Sequence, residues 1–290
     1  MSVLSVHNLI YCYSKGTPFQ TGALKDFSFD FQQGEIVGII GHTGSGKSTL
    51  LQCLNGLLKP EAGSVLLNGE NIHSSKKALR ECKFKVGLCF QYPEYQLFGA
   101  TVFDDIAFGP KNMGLSEEEI KIRVKKSVDF VGIPEAYLQK SPFDLSGGEK
   151  RKVAIAGIIS MEPEVLILDE PTAGLDPKGK KALIEMIKAY NKETGSTVIF
   201  VSHCMDDVAL IADRVIVMSD GRAVLSGTVE EVYSDNKTLL ELGLDVPEIT
   251  KIIYLLKEKG YTLPETIFTV EKAARVLSDI ILRGGNVFDK

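Results

Sequence analysis

The sequence predicts an α/β fold, and three observations carry that prediction. EIVGIIG (35–41), VLILDE (165–170) and STVIFVSH (196–203) are continuous apolar runs rather than alternating ones. Such runs mark strands covered on both faces, as in parallel sheets. The last two are separated by a helical stretch, ALIEMIKAYNKE (182–193), which is the alternation an α/β sheet requires. The first run also ends directly in a glycine-rich loop, GHTGSGKST (41–49), followed by the helical STLLQCLNGLL (48–58).

The remaining elements follow in order. VLSVHNLIYCY (3–13), FSFDF (27–31) and SVLLNGENI (64–72) are rich in β-branched and aromatic residues, with an Asn68-Gly69 turn in the third. KVGLCFQ (85–91) reads as a further apolar strand ending at Gln91. From about Gln96 to Ile159 the pattern turns helical. Ser116 and Glu119 form a predicted capping box, and Ile120, Val124, Val128 and Val131 share one helical face. RVIVMSDGRAVLSG (214–227) reads as a hairpin around Asp220-Gly221. After residue 235, VPEITKIIYLLKEKG (246–260) and TVEKAARVLSDIILR (269–283) predict two amphipathic helices in a small separate unit.

Composition narrows the function. The chain of 290 residues is 44% hydrophobic and 24% charged, with net charge −5 and no basic run. A reader of nucleic-acid backbones is expected to be basic overall or on one face, so no nucleic-acid partner is expected. Five cysteines, odd in number and without a C-x-x-C pair, predict free thiols in a reducing compartment. No signal-peptide pattern opens the chain, and no apolar run approaches the ~18 residues that span a bilayer. Any membrane crossing is expected from another chain.

GHTGSGKST fits the P-loop pattern G-x-x-x-x-G-K-[ST], with a strand before it and a helix after. Chance alone produces the pattern in about one chain of this length in a hundred, before the flanks are considered. Gly41, Gly44 and Gly46 let the backbone curl, so that N–H groups of His42, Thr43, Ser45 and Thr49 and their neighbours face a phosphate chain. Lys47 brings charge to the outer phosphates, and the Ser48 hydroxyl suits Mg²⁺. In LILDE, adjacent side chains of a strand point to opposite faces, so Asp169 and Glu170 cannot share a role. Asp169 is placed for Mg²⁺, and Glu170 at the strand tip for taking a proton from an attacking water. Tyr13, Gln91 and His203 each admit an ordinary structural reading and carry no assignment alone.

LSGGEKRK, starting at Leu145, raises a different question. Ser146 and Glu149 read as a capping box, yet the box leaves Gly147 and Gly148 unexplained. Glycine is a poor helix former, so a doublet at a helix start suggests close approach to the backbone.

The P-loop, Gln91, LSGGE, LILDE, GLD (174–176) and His203 stand in the order found in ATP-binding-cassette (ABC) ATPases, which residues 1–230 resemble. The resemblance implies a P-loop ABC nucleotide-binding domain with a mixed sheet core, an antiparallel β subdomain and a helical subdomain near 96–160, plus a small helical C-terminal domain. The domains would span 1–234 and 235–290. It further implies that Tyr13 stacks on adenine and that Gln91 touches Mg²⁺ and senses the γ-phosphate. Glu170 would be the general base, His203 would align the phosphate and water, and Asp176 would link two sites across an interface. Ser146, Gly147, Gly148 and Glu149 would face ATP held by a second subunit. Glu149 departs from the commonest form of this motif, which ends in Gln.

FQYPEYQLF (90–98), TVFDDIAFGPKNMGLS (101–116), VAIAG (153–157) and LGLDVPEIT (242–250) resemble the energy-coupling-factor (ECF) and cobalt-type importer ATPases over almost the whole chain. That resemblance implies a dimer of two ATPase subunits, identical or related. It implies a transmembrane coupling subunit docking near Gln91–Phe98, and a membrane component that binds a vitamin, Co²⁺ or Ni²⁺. The chain would then sit peripherally on the cytoplasmic side of the cell membrane. The alternatives are an ABC ATPase without a transporter, an ATP-gated assembly switch, and a small-molecule kinase. LSGGE and the paired Asp169-Glu170 would have no purpose in the kinase.

Overall fold

The computed structural model describes residues 1–264 and 267–282; Arg283, where the second predicted tail helix ends, lies outside the described residues with the rest of 283–290. β1 (Ser2–Tyr13) and β2 (Thr21–Gln32) pair antiparallel, with several register shifts along their length. β3 (Ile36–Ile40) is buried throughout and runs into the glycine loop, from which α1 (Lys47–Leu54) rises. β4 (Ala62–Leu67) turns at Asn68-Gly69 into β5 (Glu70–Asn71), both turn residues having positive φ as that tight turn needs. These strands form a four-stranded sheet in the order β2-β1-β4-β5.

α2 (Lys76–Lys85) is not among the predicted elements. Six of its ten residues are Lys, Arg or Glu and only Cys82 is buried, so few apolar residues are left to mark a face in its sequence. β6 (Val86–Cys89) follows, then a 3-10 turn over Pro93–Gln96. α3 (Val102–Met113), α4 (Glu117–Val131) and α5 (Gly147–Ile159) make up the helical part, and α4 buries Ile120, Val124, Val128 and Val131 as their spacing requires. Only half of the box predicted at Ser116 forms. Ser116 accepts the Glu119 N–H at 3.3 Å, but the Glu119 carboxylate turns to Arg123 at 3.1 Å, one helical turn on.

β7 (Val165–Asp169), α6 (Pro177–Thr194), β8 (Thr197–Val201), α7 (Met205–Ile211), β9 (Arg214–Ser219) and β10 (Arg222–Thr228) complete the main body. The second sheet has the order β10-β9-β3-β8-β7-β6 and is parallel except for β10, the antiparallel edge. Its two faces are covered separately, as the continuous apolar runs predict. Val37, Ile39, Val165, Ile167, Ile199 and Val201 pack with α1 and the antiparallel sheet. Ile36, Ile40, Leu166, Leu168, Val198 and Phe200 pack with the helical part.

Three strands stop earlier than their sequences suggest. β6 ends at Cys89, β7 at Asp169 and β8 at Val201, so Gln91, Glu170 and His203 all stand on the loops beyond. Glu170 has φ +48°, so the expected strand alternation across Asp169-Glu170 is replaced by a left-handed kink.

Among the described residues, four helices follow β10: α8 (Val229–Ser234), then α9 (Asn236–Glu241), α10 (Glu248–Glu258) and α11 (Val270–Leu282) in the tail. Val229, Val232, Tyr233, Leu239, Leu244, Val246 and Phe268 join the core of the main body. Ile249, Ile253, Leu263, Ile267 and Ala273 form a small apolar cluster of their own.

Candidate nucleotide site

The carboxyl ends of the parallel strands meet at one edge, where α/β sheets place their ligands. The glycine loop begins there. Gly44 has φ +82° with open space where a Cβ would stand, and Gly46 has φ +99° with its Cβ position blocked by the Ala23 carbonyl of β2. The loop is held by Ser45 N–H to His42 O at 3.1 Å and by Gly221 N–H to Ser45 O at 3.0 Å. The His42 ring lies 2.9 Å from Thr43 O and 3.4 Å from Ser219 Oγ. The Ser45 hydroxyl is buried without a hydrogen-bond partner among the described residues. Lys47 curls back, donating to Gly41 O at 2.6 Å and His42 O at 3.0 Å. Burial pushes its ammonium below the ordinary lysine range, against the pull of Glu170 and Asp169.

Ile167 faces α1, and the two-residue strand period puts Asp169 on that side as well. Ser48 Oγ donates to Asp169 Oδ2 at 3.3 Å. A buried carboxylate beside a hydroxyl at a helix start is a hard-oxygen donor set, the chemistry Mg²⁺ takes. Burial raises the Asp169 carboxyl above its ordinary value, while the Ser48 hydrogen bond and the Lys47 charge oppose it.

Glu170 is held by its kink. Its N–H donates to Val201 O at 3.0 Å, and its Oε2 accepts the His203 N–H at 3.2 Å. Oε1 lies 3.3 Å from His203 Nε2 without hydrogen-bond alignment. Burial raises the Glu170 carboxyl and lowers the His203 imidazole, so the pair meets as a poised carboxylate and a neutral ring. A carboxylate of raised pKa beside a neutral histidine suits proton abstraction from water. On the rim, the half-exposed Tyr13 places its hydroxyl 3.1 Å from Thr49 Oγ1.

The structure thus gathers Lys47, Ser48, Asp169, Glu170 and His203. Gln91 is exposed on the loop after β6, beside the chain of β7 by strand register. Among the described residues, no hydrogen bond joins this cluster to Ser146–Glu149 or to Asp176. Asp176 caps α6, accepting the Gly179 N–H at 2.6 Å. The predicted capping box closes at α5: Glu149 Oε2 accepts from Ser146 N–H at 2.8 Å and Ser146 Oγ at 2.6 Å, and Ser146 Oγ accepts the Glu149 N–H at 3.4 Å. Those bonds hold the Glu149 carboxyl below its ordinary value. Gly147 and Gly148 have ordinary helical φ and nothing within 4 Å of a Cβ. Nothing among the described residues demands glycine there.

Two contacts escape the sequence reading. Thr172 Oγ1 donates to the buried Asp207 carboxylate of α7 at 2.7 Å. Arg151 is buried on α5, bound to Glu94 and to the loop after Glu170. Its only signal in the sequence is a place four residues before Ile155 and eight before Ile159, on the buried face of that helix.

The ABC transporter family profile matches residues 24–173. The chain is 53% identical over 279 residues to the energy-coupling factor transporter ATP-binding protein EcfA2 of Clostridium perfringens, covering 96% of this chain and 98% of that one. Among solved structures, cbiO1 from Clostridium perfringens, part of the ABC transporter complex cbiONQ, superposes with a TM-score of 0.74 at 41% identity, over 88% of this chain and 99% of that chain. A dimeric post-hydrolysis state of an ATP-binding cassette, bound to ADP and Pi, superposes at 0.70 with 27% identity, over 78% of this chain and 98% of that chain. A chain that matches the family across its cassette, and its ATP-binding relatives almost end to end, is a member of the ABC transporter family, in the energy-coupling factor branch whose ATP-binding subunits bind and hydrolyse ATP.

Proposed function

We propose that this chain powers an ECF importer, in which ATP closes two such subunits face to face and hydrolysis releases them. The cargo would be a vitamin or a cobalt or nickel ion, moved through separate membrane subunits. One observation carries the reading: a phosphate cradle with its carboxylates in one place, and a bare glycine helix start elsewhere that none of the described residues packs against. The cassette solved as a dimer with ADP and Pi supports the same arrangement.

In this reading Tyr13 stacks on adenine, while the N–H groups of residues 41–49 and the Lys47 ammonium hold the phosphates. Ser48, Asp169 and Gln91 would hold Mg²⁺, which offsets phosphate charge when bound. Glu170 takes the proton of the attacking water, and His203 holds water and phosphate in line. Ser146, Gly147 and Gly148 reach the nucleotide of the partner subunit, where the dipole of α5 favours negative charge. Glu149 stays a cap for that helix, and Asp176 links the two sites.

The turn after Gln91 offers the docking surface. Tyr92, Tyr95 and Phe98 are exposed, and Phe98 meets Phe108 edge-on at 4.9 Å. Phe98 and Phe108, with Pro93, Leu97 and Val153, border a groove of about 370 Å³. An apolar, aromatic groove of this kind fits a helix from a transmembrane coupling subunit. No helix among the described residues is long and apolar enough to cross a membrane, so docking would hold the chain to the cytoplasmic face. The tail domain, 235–290, has exposed Ile252, Leu255 and Val270 near its own cluster and would assist pairing.

Glu170→Gln tests the central assignment. Turnover is expected to fall by about 10²–10⁴, while ATP still gathers the chain into dimers in a size measurement. Wild-type turnover by that variant would remove Glu170 from the base role.

A further inference from the structure

Arg151 stands one turn into α5, behind the exposed Ser146–Gly148 end, and its side chain is 6% exposed. Its guanidinium donates in two directions. Nε and Nη2 reach the two oxygens of Glu94 at 3.1 and 2.9 Å, a bidentate pair on a carboxylate 15% exposed. Nη1 donates to the carbonyls of Pro171 at 3.1 Å and Ala173 at 2.8 Å. Three segments far apart in the chain therefore converge on one planar group.

Each segment touches a different part of the proposed machinery. Glu94 lies on the 3-10 turn Pro93–Gln96, between Gln91 and the aromatic residues of the groove. Pro171 and Ala173 belong to the loop that leaves Glu170, and Ala173 N–H donates to Glu170 O at 3.1 Å. From the other side the same loop is gripped by Thr172 on Asp207, in the helix that starts just after His203. Glu170 has left-handed backbone, which persists only where neighbours over-determine it. Val201 and His203 bond Glu170 itself, and Arg151 and Asp207 hold the three residues that follow it. A lysine has no planar fork and cannot serve both a carboxylate and two carbonyls in this way.

We propose that Arg151 is a positioning residue that ties the Glu94 turn to the Glu170 loop, so that a helix docked beside Glu94 sets the geometry of the catalytic carboxylate. The proposal rests on the docking surface described above. A docked helix that shifts the 3-10 turn moves the carboxylate holding Nε and Nη2. The guanidinium is rigid, so its hold on the two carbonyls shifts with it.

Kinetics of the full chain, alone and assembled with the membrane subunits recovered with it, test the tie. Arg151→Lys in the chain alone is expected to lower kcat for ATP about tenfold or more while KM for ATP stays within about twofold. Glu94→Gln is expected to bring the ratio of partner-stimulated to basal ATPase to about one, and Glu94→Asp to restore part of it. In the Arg151→Lys background, Glu94→Gln adds no further loss of that ratio. A folded Arg151→Lys chain with unchanged kcat, or a Glu94→Gln complex with its stimulation intact, overturns the proposal. Where Arg151→Lys fails to fold, the two Glu94 variants decide it. A wild-type chain whose ATPase ignores the membrane subunits would overturn the docking reading instead, leaving the Arg151 result to stand by itself.

Discussion

Asp169 and Glu170 are adjacent, yet one closes a strand toward Ser48 and the other turns through a left-handed kink toward His203. Burial raises both carboxyls, so between the ordinary and the raised pKa the folded chain binds more protons than the unfolded one. Their charge therefore opposes folding at neutral pH, and the penalty lifts as pH falls through the raised values. Glu170→Gln, which removes one buried charge, should melt a few degrees above wild type at pH 8. That gain should shrink toward pH 4, where the wild-type carboxyl is neutral too. A gain that grows on acidification would contradict the burial argument. If Glu170 is the base proposed above, turnover should fall on acidification already above the ordinary carboxylate range, since a protonated Glu170 cannot take the proton of water. Burial and the Lys47 charge hold the His203 imidazole below its ordinary value.

At the scale of the element, α5 separates folding from function most clearly. Its capping box satisfies the helix start through Ser146 and Glu149 alone. Gly147 and Gly148 have neither positive φ nor a neighbour that a methyl group would strike. An interior Gly→Ala exchange in a helix stabilises by roughly 0.5–1 kcal/mol, less in the first turn. Gly148→Ala should therefore leave the melting temperature equal or slightly higher, while ATPase drops about tenfold or more because the partner's nucleotide is held off. Calorimetry and a turnover assay on one preparation check both halves. Unchanged ATPase would mean that nothing approaches this backbone.

Across the whole molecule, the six-stranded sheet is covered on both faces and the described cassette is well packed, yet it holds the proposed site in two separated halves. Activity in that case belongs to the pair. The chain purified from native membranes with its companions, then diluted, should lose turnover per chain in step with its loss of pairs, as light scattering and phosphate release would record. A dilute, demonstrably unpaired chain working at full rate would break the reading. The tail belongs to this scale as well, because Tyr233 and Phe268 anchor it to the main core, with ring centroids 5.8 Å apart.

The α/β class, the glycine loop and its flanks, the Asp220-Gly221 hairpin and the helical face of α4 were legible in sequence, because each is set by residues within one turn or one strand. Strand ends were less so: Gln91, Glu170 and His203 read as strand tips, and chain geometry beyond the last ladder bond moved them onto loops. α2 was invisible because a mostly charged helix offers too few apolar residues to stand out. The grip of Arg151 and Asp207 on the Glu170 loop was decided only by tertiary structure. Local sequence determines which groups the chain can offer to a phosphate. Which groups share a site depends on packing between segments dozens of residues apart, where desolvation and hydrogen-bond geometry are set by neighbours that no local pattern records.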